Sequence, residues 1–183
     1  LSKVKTDNSY FKDKVCLRIE NLPEKNDICV LELYHGKGKI WEEIKNKTCK
    51  NITLHATDIK KYDDCIVLDN KKIIPSLDLN MYDVIDLDSY GIPFIQLQQI
   101  FNKKIKRQII IYITYIQTSY GTLPKDLMLE LGYTDRMLKK IKSIFYKKGI
   151  DKIKNYLYKK GIKEISIISE GRKNYFCFKI DPE

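Results

Sequence analysis

Residues 30–41 read V-L-E-L-Y-H-G-K-G-K-I-W, and this stretch decides the fold. Apolar residues run into Glu32. Gly36 and Gly38 follow, and an amphipathic stretch carrying Ile40, Trp41 and Ile44 begins at once. The pattern predicts a buried strand, a tight glycine turn and the first turn of a helix. Glycines let a backbone come close to a ligand, and a helix N-terminus offers free N–H groups. Nucleotide-like cofactors are held this way at the carboxyl edge of an open parallel sheet. A dinucleotide site would want a third glycine at position 41, for close packing of helix on strand. Trp41 stands there instead, which argues against NAD and FAD.

Outward from this turn the elements alternate in type. A strand is predicted at 28–33 and a helix at 38–45. Strands at 51–57 and 65–68 stop at Asp58 and Asp69, and a further strand at 82–86 stops at Asp86. Residues 93–101 read as a helix with Phe94, Leu97, Ile100 and Phe101 on one face. The β-branched run Q-I-I-I-Y-I-T-Y-I at 108–116 is a central strand. Short strands interleaved with helical stretches mean βαβ units and a parallel sheet. Helices are expected at 125–131, 135–147 and 151–158. The segments 163–169 and 174–180 then pair through E-G-R-K as a hairpin. Five parallel strands closed by an antiparallel hairpin make seven. Upstream, V-C-L-R-I at 15–19 fits a short strand or a leading helix, so residues 1–27 read as an N-terminal extension to a core of 28–183 within a single domain.

Composition sets bounds. At 183 residues the chain can bury one core but not two ordinary ones. Its 43% hydrophobic and 32% charged residues belong to a folded, soluble protein. No apolar run reaches the roughly 18–20 residues of a membrane helix, and the first residues lack a signal-peptide core. Five scattered cysteines without a CxxC pair, and two histidines, speak against structural zinc and for a reducing compartment, hence the cytoplasm. The net charge of +10 points to a polyanionic partner, DNA or RNA, although a Lys-, Ile-, Asn- and Tyr-rich composition alone also produces it.

The order of motifs resembles a known family. E-x-x-x-G-x-G at 32–38, acids closing the next two strands at Asp58 and Asp69, and D-L-D-S-Y-G-I-P at 86–93 are similar to the ordered motifs of class I S-adenosylmethionine-dependent methyltransferases. The resemblance spans roughly residues 28–180. It implies an α/β, Rossmann-like methyltransferase fold, with a seven-stranded, mostly parallel sheet whose last strand is antiparallel. It implies S-adenosylmethionine as cofactor, while the cysteine and histidine pattern leads to the expectation of no metal. Gly36 and Gly38 would pass under the methionine part and ribose, with Glu32 accepting a hydrogen bond near that turn. Asp58 would take both ribose hydroxyls, since one carboxylate offers two acceptor oxygens, and Asp69 would meet the adenine amino group.

The D-L-D-S-Y-G run resembles the reaction motif of tRNA guanine-N2 dimethyltransferases, with Ser89 where that family has proline. In that reading Asp88 orients an exocyclic amine of a nucleic-acid base and Tyr90 stacks on the base. Asp86 would be structural.

Plainer readings stand beside these. Acids that end strands are also helix caps and turn formers, Asp69 and Asp88 included. His35 reads as a loop residue, His55 as a packed core histidine, and Trp41 as core or cofactor wall. Two rival functions remain: a non-catalytic nucleic-acid-binding protein, with 124–148 as a helix-turn-helix and the hairpin as a wing, and a methyltransferase fold without catalysis.

Overall fold

The protein is described by a computed structural model covering residues 10–89, 91, 93–116, 125–140 and 144–182. Seven strands form one sheet: β1 (Asp27–Leu33), β2 (Asn51–Asp58), β3 (Ile66–Val67), β4 (Val84–Leu87), β5 (Ile109–Ile116), β6 (Ile165–Glu170) and β7 (Lys173–Ile180). Their spatial order is β3-β2-β1-β4-β5-β7-β6. The first five are parallel, and β7 runs antiparallel to both β5 and β6. This is the sheet predicted from the sequence. The 163–180 hairpin closes it by pairing with β5, so it is not a free-standing wing.

Alternation along β1 explains the two layers, because successive strand side chains face opposite ways. Leu31 and Leu33 enter one buried cluster, with Ile85, Leu87, Leu97 and Phe176. Ile28 and Val30 enter the other, with Val84, Tyr112, Tyr175 and Cys177. On the first face lie α4 (Phe94–Phe101), α5 (Lys125–Glu130) and α7 (Ile144–Lys159), through residues such as Leu97, Met128 and Leu157. On the second lie α1 (Phe11–Glu20) and α2 (Lys39–Lys47), through Val15, Leu17, Trp41 and Ile44. The short helices α3 (Asn70–Ile73) and α6 (Asp135–Lys140) complete the set.

Two elements differ from expectation. The strand expected at 65–68 is only two residues long, both exposed at the sheet's edge, because its apolar residues have no layer to cover them. The helix expected to restart at 151 is continuous from Ile144 through Gly149 to Lys159. Gly149 is buried. A mid-helix glycine costs only about 1 kcal/mol, which the packed face of α7 offsets. Among the described residues no helix is long and apolar enough to cross a membrane.

Candidate cofactor and acceptor cleft

The strand order reverses between β1 and β4, and parallel pairing aligns their carboxyl ends: Glu32 lies opposite Asp86 on one side and Ala56 on the other. At such a reversal the loops leave in opposite directions and a crevice opens. A cleft of about 280 Å³ occupies it, on the face that carries α1 and α2. Its walls include Glu32, Gly36, Gly38, Asp58 and Asp88 from the predicted set. Asp69 is not among them. It caps α3, accepting from the Lys71 N–H at 3.0 Å, and its charge acts on the neighbouring Tyr34 hydroxyl. Tyr90 lies outside the described residues.

The glycine turn is held from three sides. The N–H groups of Tyr34 and His35 donate to the Thr57 carbonyl at 2.9 and 3.1 Å. The Gly36 N–H donates to Asp58 Oδ2 at 3.0 Å, while Asp58 Oδ1 accepts from the Lys60 N–H at 2.9 Å. Asp58 thus braces the turn, and each oxygen retains a lone-pair direction for a ligand. The turn requires left-handed backbone at Gly36 (φ 59°) and Gly38 (φ 67°), and Tyr34 adopts it too (φ 80°), at a cost of about 1–2 kcal/mol for a side-chain-bearing residue.

His35 is not a free loop residue. Its Nδ1 lies 2.5 Å from Glu32 Oε2, and its ring packs so tightly on Gly38 that a Cβ there would come within 2.6 Å of it. Burial, more than the neighbouring charge of Asp86, pushes the Glu32 carboxyl up to about 7. The hydrogen bond to Glu32 raises His35 against the opposing effect of its own burial. The two side chains form one hydrogen-bonded pair under the turn.

Beneath the cleft sits a buried knot. Arg18 donates from Nε and Nη2 to the two oxygens of Asp86, both at 2.7 Å, and Trp41 Nε1 donates to Asp86 Oδ2 at 2.8 Å. Burial alone would lower the Arg18 pKa, but the charge and hydrogen bonds of Asp86 outweigh it and raise the value. Asp86 is therefore a structural acid, and Trp41 belongs to the core. His55 is half-buried and meets the Tyr82 hydroxyl at 3.2 Å.

Asp88, one residue beyond β4, opens onto the cleft. Lys14 Nζ donates to both its oxygens at 2.8 Å, and the Thr114 hydroxyl donates to Oδ1. Burial would raise the Asp88 pKa, but the charges of Lys14 and Arg18 hold it below the usual carboxylate value. Ser89 Oγ is buried at the same wall without a hydrogen-bond partner among the described residues. The sequence singles out neither Lys14 nor Thr114, and marks Tyr175 only as part of the hairpin. The one available signal was Thr114, a polar break in an otherwise apolar strand. Among the described residues no group of three or more His, Cys, Asp or Glu side chains is placed to hold a metal.

No protein-family model and no curated protein matches the sequence. Solved structures do match the fold. A SAM-dependent methyltransferase from Archaeoglobus fulgidus superposes with a TM-score of 0.58 at 15% identity, over 95% of each chain. The CurJ carbon methyltransferase gives 0.56 at 13% identity over 94% of this chain, which spans only 56% of that one. A Streptococcus thermophilus protein provisionally described as a hemolysin gives 0.59 at 10% identity, over 100% of this chain and 68% of that one. The chain therefore has the Rossmann-like fold of class I S-adenosylmethionine-dependent methyltransferases. At such identities the likeness defines the fold, and function must be argued from the site.

Proposed function

We propose that the cleft binds S-adenosylmethionine and directs its methyl group to an amine of a nucleic-acid base. The observation that carries this reading is the convergence of Glu32, the Gly36–Gly38 turn, Asp58 and Asp88 on one crevice at the reversal of strand order. The residues fit the cofactor. Only Tyr34 O, at 4.0 Å, approaches the Cβ position of Gly36, so that side of the turn has room. Asp58 has acceptor capacity left for a pair of ribose hydroxyls, and Ser89 Oγ lacks a partner among the described residues.

S-adenosylmethionine would supply an electrophilic methyl on a sulfonium. The rest falls to the chain. Asp88, an ionised carboxylate with two oxygens, holds an exocyclic amine by its N–H groups and orients the nitrogen lone pair. Its lowered pKa suits it to positioning more than to taking the proton in the transition state, since a weak base abstracts poorly. A base amine as acceptor is supported by the likeness of residues 86–91 to the motif of guanine-N2 dimethyltransferases and by the net charge of +10. Lys37, Lys39 and Lys60, exposed at the mouth, would bear the salt-dependent part of nucleic-acid affinity.

Calorimetry with S-adenosylmethionine and S-adenosylhomocysteine tests the cofactor. Asp58→Ala is expected to abolish binding by removing the ribose acceptor and the brace on the turn. Binding unchanged in that variant refutes the site. Tritium transfer from labelled cofactor into separate tRNA, rRNA, DNA and protein pools tests the acceptor, and label confined to protein would overturn the nucleic-acid assignment.

A further inference from the structure

The acceptor end of the cleft already contains an amine, and it is the chain's own. Lys14 Nζ sits 2.8 Å from both oxygens of Asp88 and 5.3 Å from the centre of the Tyr175 ring. Thr114 fixes the carboxylate from the other side. A carboxylate presenting both oxygens, an aromatic face and a positioning hydroxyl are the features that recognise a nitrogen carrying several N–H bonds. Lys14 satisfies them all.

We infer that Asp88, Thr114 and Tyr175 form an amine seat that Lys14 occupies in the resting protein, and that an acceptor amine binds by displacing the Lys14 ammonium. The inference rests on the reading of Asp88 as the acceptor's partner and adds what closes that site.

Three observations favour a removable occupant over a fixed docking contact. First, α1 does not depend on Lys14 for its place. Arg18, one turn further along the helix, is bound bidentately to Asp86, and the Tyr112 hydroxyl donates to the Arg18 carbonyl at 3.0 Å. Second, the Lys14 and Asp88 side chains retain 15% and 13% exposure, against 2% and 0% for Arg18 and Asp86, so Lys14 has a way out to water. A strongly hydrated ammonium on a flexible four-carbon stem exchanges partners readily, unlike a planar guanidinium held at two points. Third, among the described residues Ser89 Oγ is left without a partner in the same wall, next in sequence to Asp88. A lysine reaching in from the helix leaves that hydroxyl unused, whereas a larger acceptor has a further donor or acceptor to meet there.

The test uses ethylammonium chloride as a soluble stand-in for the lysine tip and needs no cofactor. Melting temperatures are compared in ethylammonium chloride and in sodium chloride of equal ionic strength, for the wild type, Lys14→Ala, and Lys14→Ala combined with Asp88→Asn. Ethylammonium is expected to raise the melting temperature of Lys14→Ala by about 2 °C or more, because a ligand that binds only the folded state stabilises it. The wild type, whose seat is filled, and the double variant, whose seat has lost its charge, should not respond. A response equal in all three proteins, or absent from Lys14→Ala, overturns the seat and leaves Lys14 as a docking contact. Should Lys14→Ala fail to fold, Lys14→Met, which keeps the apolar stem but has no donor for Asp88, is scored by the same comparison. S-adenosylmethionine failing to bind in calorimetry would sink the methyltransferase reading and leave this result standing.

Discussion

Asp86 and Asp88 lie two residues apart at the end of β4, and α1 answers them with Arg18 and Lys14, four residues apart. The spacings match because two residues of strand advance about 6.6 Å and four of helix about 6 Å. The helix and strand therefore face each other as two rungs, each an acid and a base. Everything else about the rungs differs. The inner one is dry, bidentate and joined by Trp41. The outer one pairs a carboxylate with a partly exposed ammonium, beside a cleft and a hydroxyl without a partner among the described residues. Identical charge chemistry thus serves two ends, and depth decides which. A buried pair cannot be opened without stranding an ion, whereas a pair at a cleft wall can trade one partner for a ligand.

The largest expected effect tests that division directly. Asp86→Ala leaves the Arg18 guanidinium buried without its counter-ion and should cost about 3–5 kcal/mol in denaturant unfolding. Lys14→Met removes the outer base and should cost about 1 kcal/mol or less, since that pair is partly hydrated. Equal losses from the two variants would erase the distinction between the rungs.

Much of this was legible in the sequence, for identifiable reasons. The glycine turn after V-L-E-L, the acids closing successive strands and the terminal hairpin each rest on local chemistry, and the sheet follows from their order. The partner of each acid was not legible. The likeness of D-L-D-S-Y-G to a known motif separates a structural first acid from a second that faces the acceptor, but it names neither Arg18 nor Lys14, because those contacts come from α1, 68 and 74 residues away. Residues 15–19 could even be read as a strand, since Arg18 and Lys14 look like ordinary surface charges until β4 faces them. Asp69 shows the reverse problem. Its place after a β-branched run fits a cofactor ligand and a helix cap equally well, and the structure adds the cap through the Lys71 N–H.

The wall of the cleft should resist change more than its outer rung does. At Gly38 an added Cβ meets His35 Cε1 at 2.6 Å and Nε2 at 2.8 Å, in left-handed backbone. Glu32 pins that ring, so it cannot swing clear. Gly38→Ala is expected to cost about 2–3 kcal/mol, from backbone strain and overpacking together. Combining it with His35→Ala should recover the overpacking share, as a double-mutant cycle reads it. Gly36→Ala meets nothing nearer than 4.0 Å and should lose only about 1 kcal/mol to its backbone. If Gly36→Ala proves the costlier of the two, the packing of His35 on the turn is wrong.

The same pair, Glu32 and His35, gives the wall a pH dependence. Glu32 is raised from 4.5 to about 7, and His35 is raised as well. Both bind a proton more tightly in the folded chain than in the unfolded one. Their stabilisation is complete below the unfolded values and is lost as pH rises through the folded ones. Stability should therefore fall between about pH 5 and pH 8, by on the order of 2 kcal/mol. Glu32→Gln, which titrates at neither end of that window, should flatten the curve in melting experiments. A wild type that grows more stable across this window would contradict the raised values of Glu32 and His35.

The smallest effect concerns the one predicted cofactor ligand that the cleft does not include. Asp69 accepts from the Lys71 N–H and caps α3, a helix of four residues. Removing a cap costs about 1 kcal/mol, and little of α3 depends on it, because Asn70 is separately held by the Thr57 hydroxyl at 2.7 Å. Asp69→Ala should therefore lose about 1 kcal/mol of stability or less. The measurement that matters is S-adenosylmethionine affinity at a temperature where the variant is folded. If Asp69 only caps, affinity is unchanged while Asp58→Ala abolishes it. If Asp69 also meets the adenine amino group, affinity drops by about tenfold, the worth of one charge-assisted hydrogen bond at roughly 1.4 kcal/mol. That drop would extend the cleft outward past Tyr34, whose hydroxyl already feels the charges of both Asp69 and Asp58. The binding wall would then run from the hydrogen-bonded pair of Glu32 and His35 to the cap of α3.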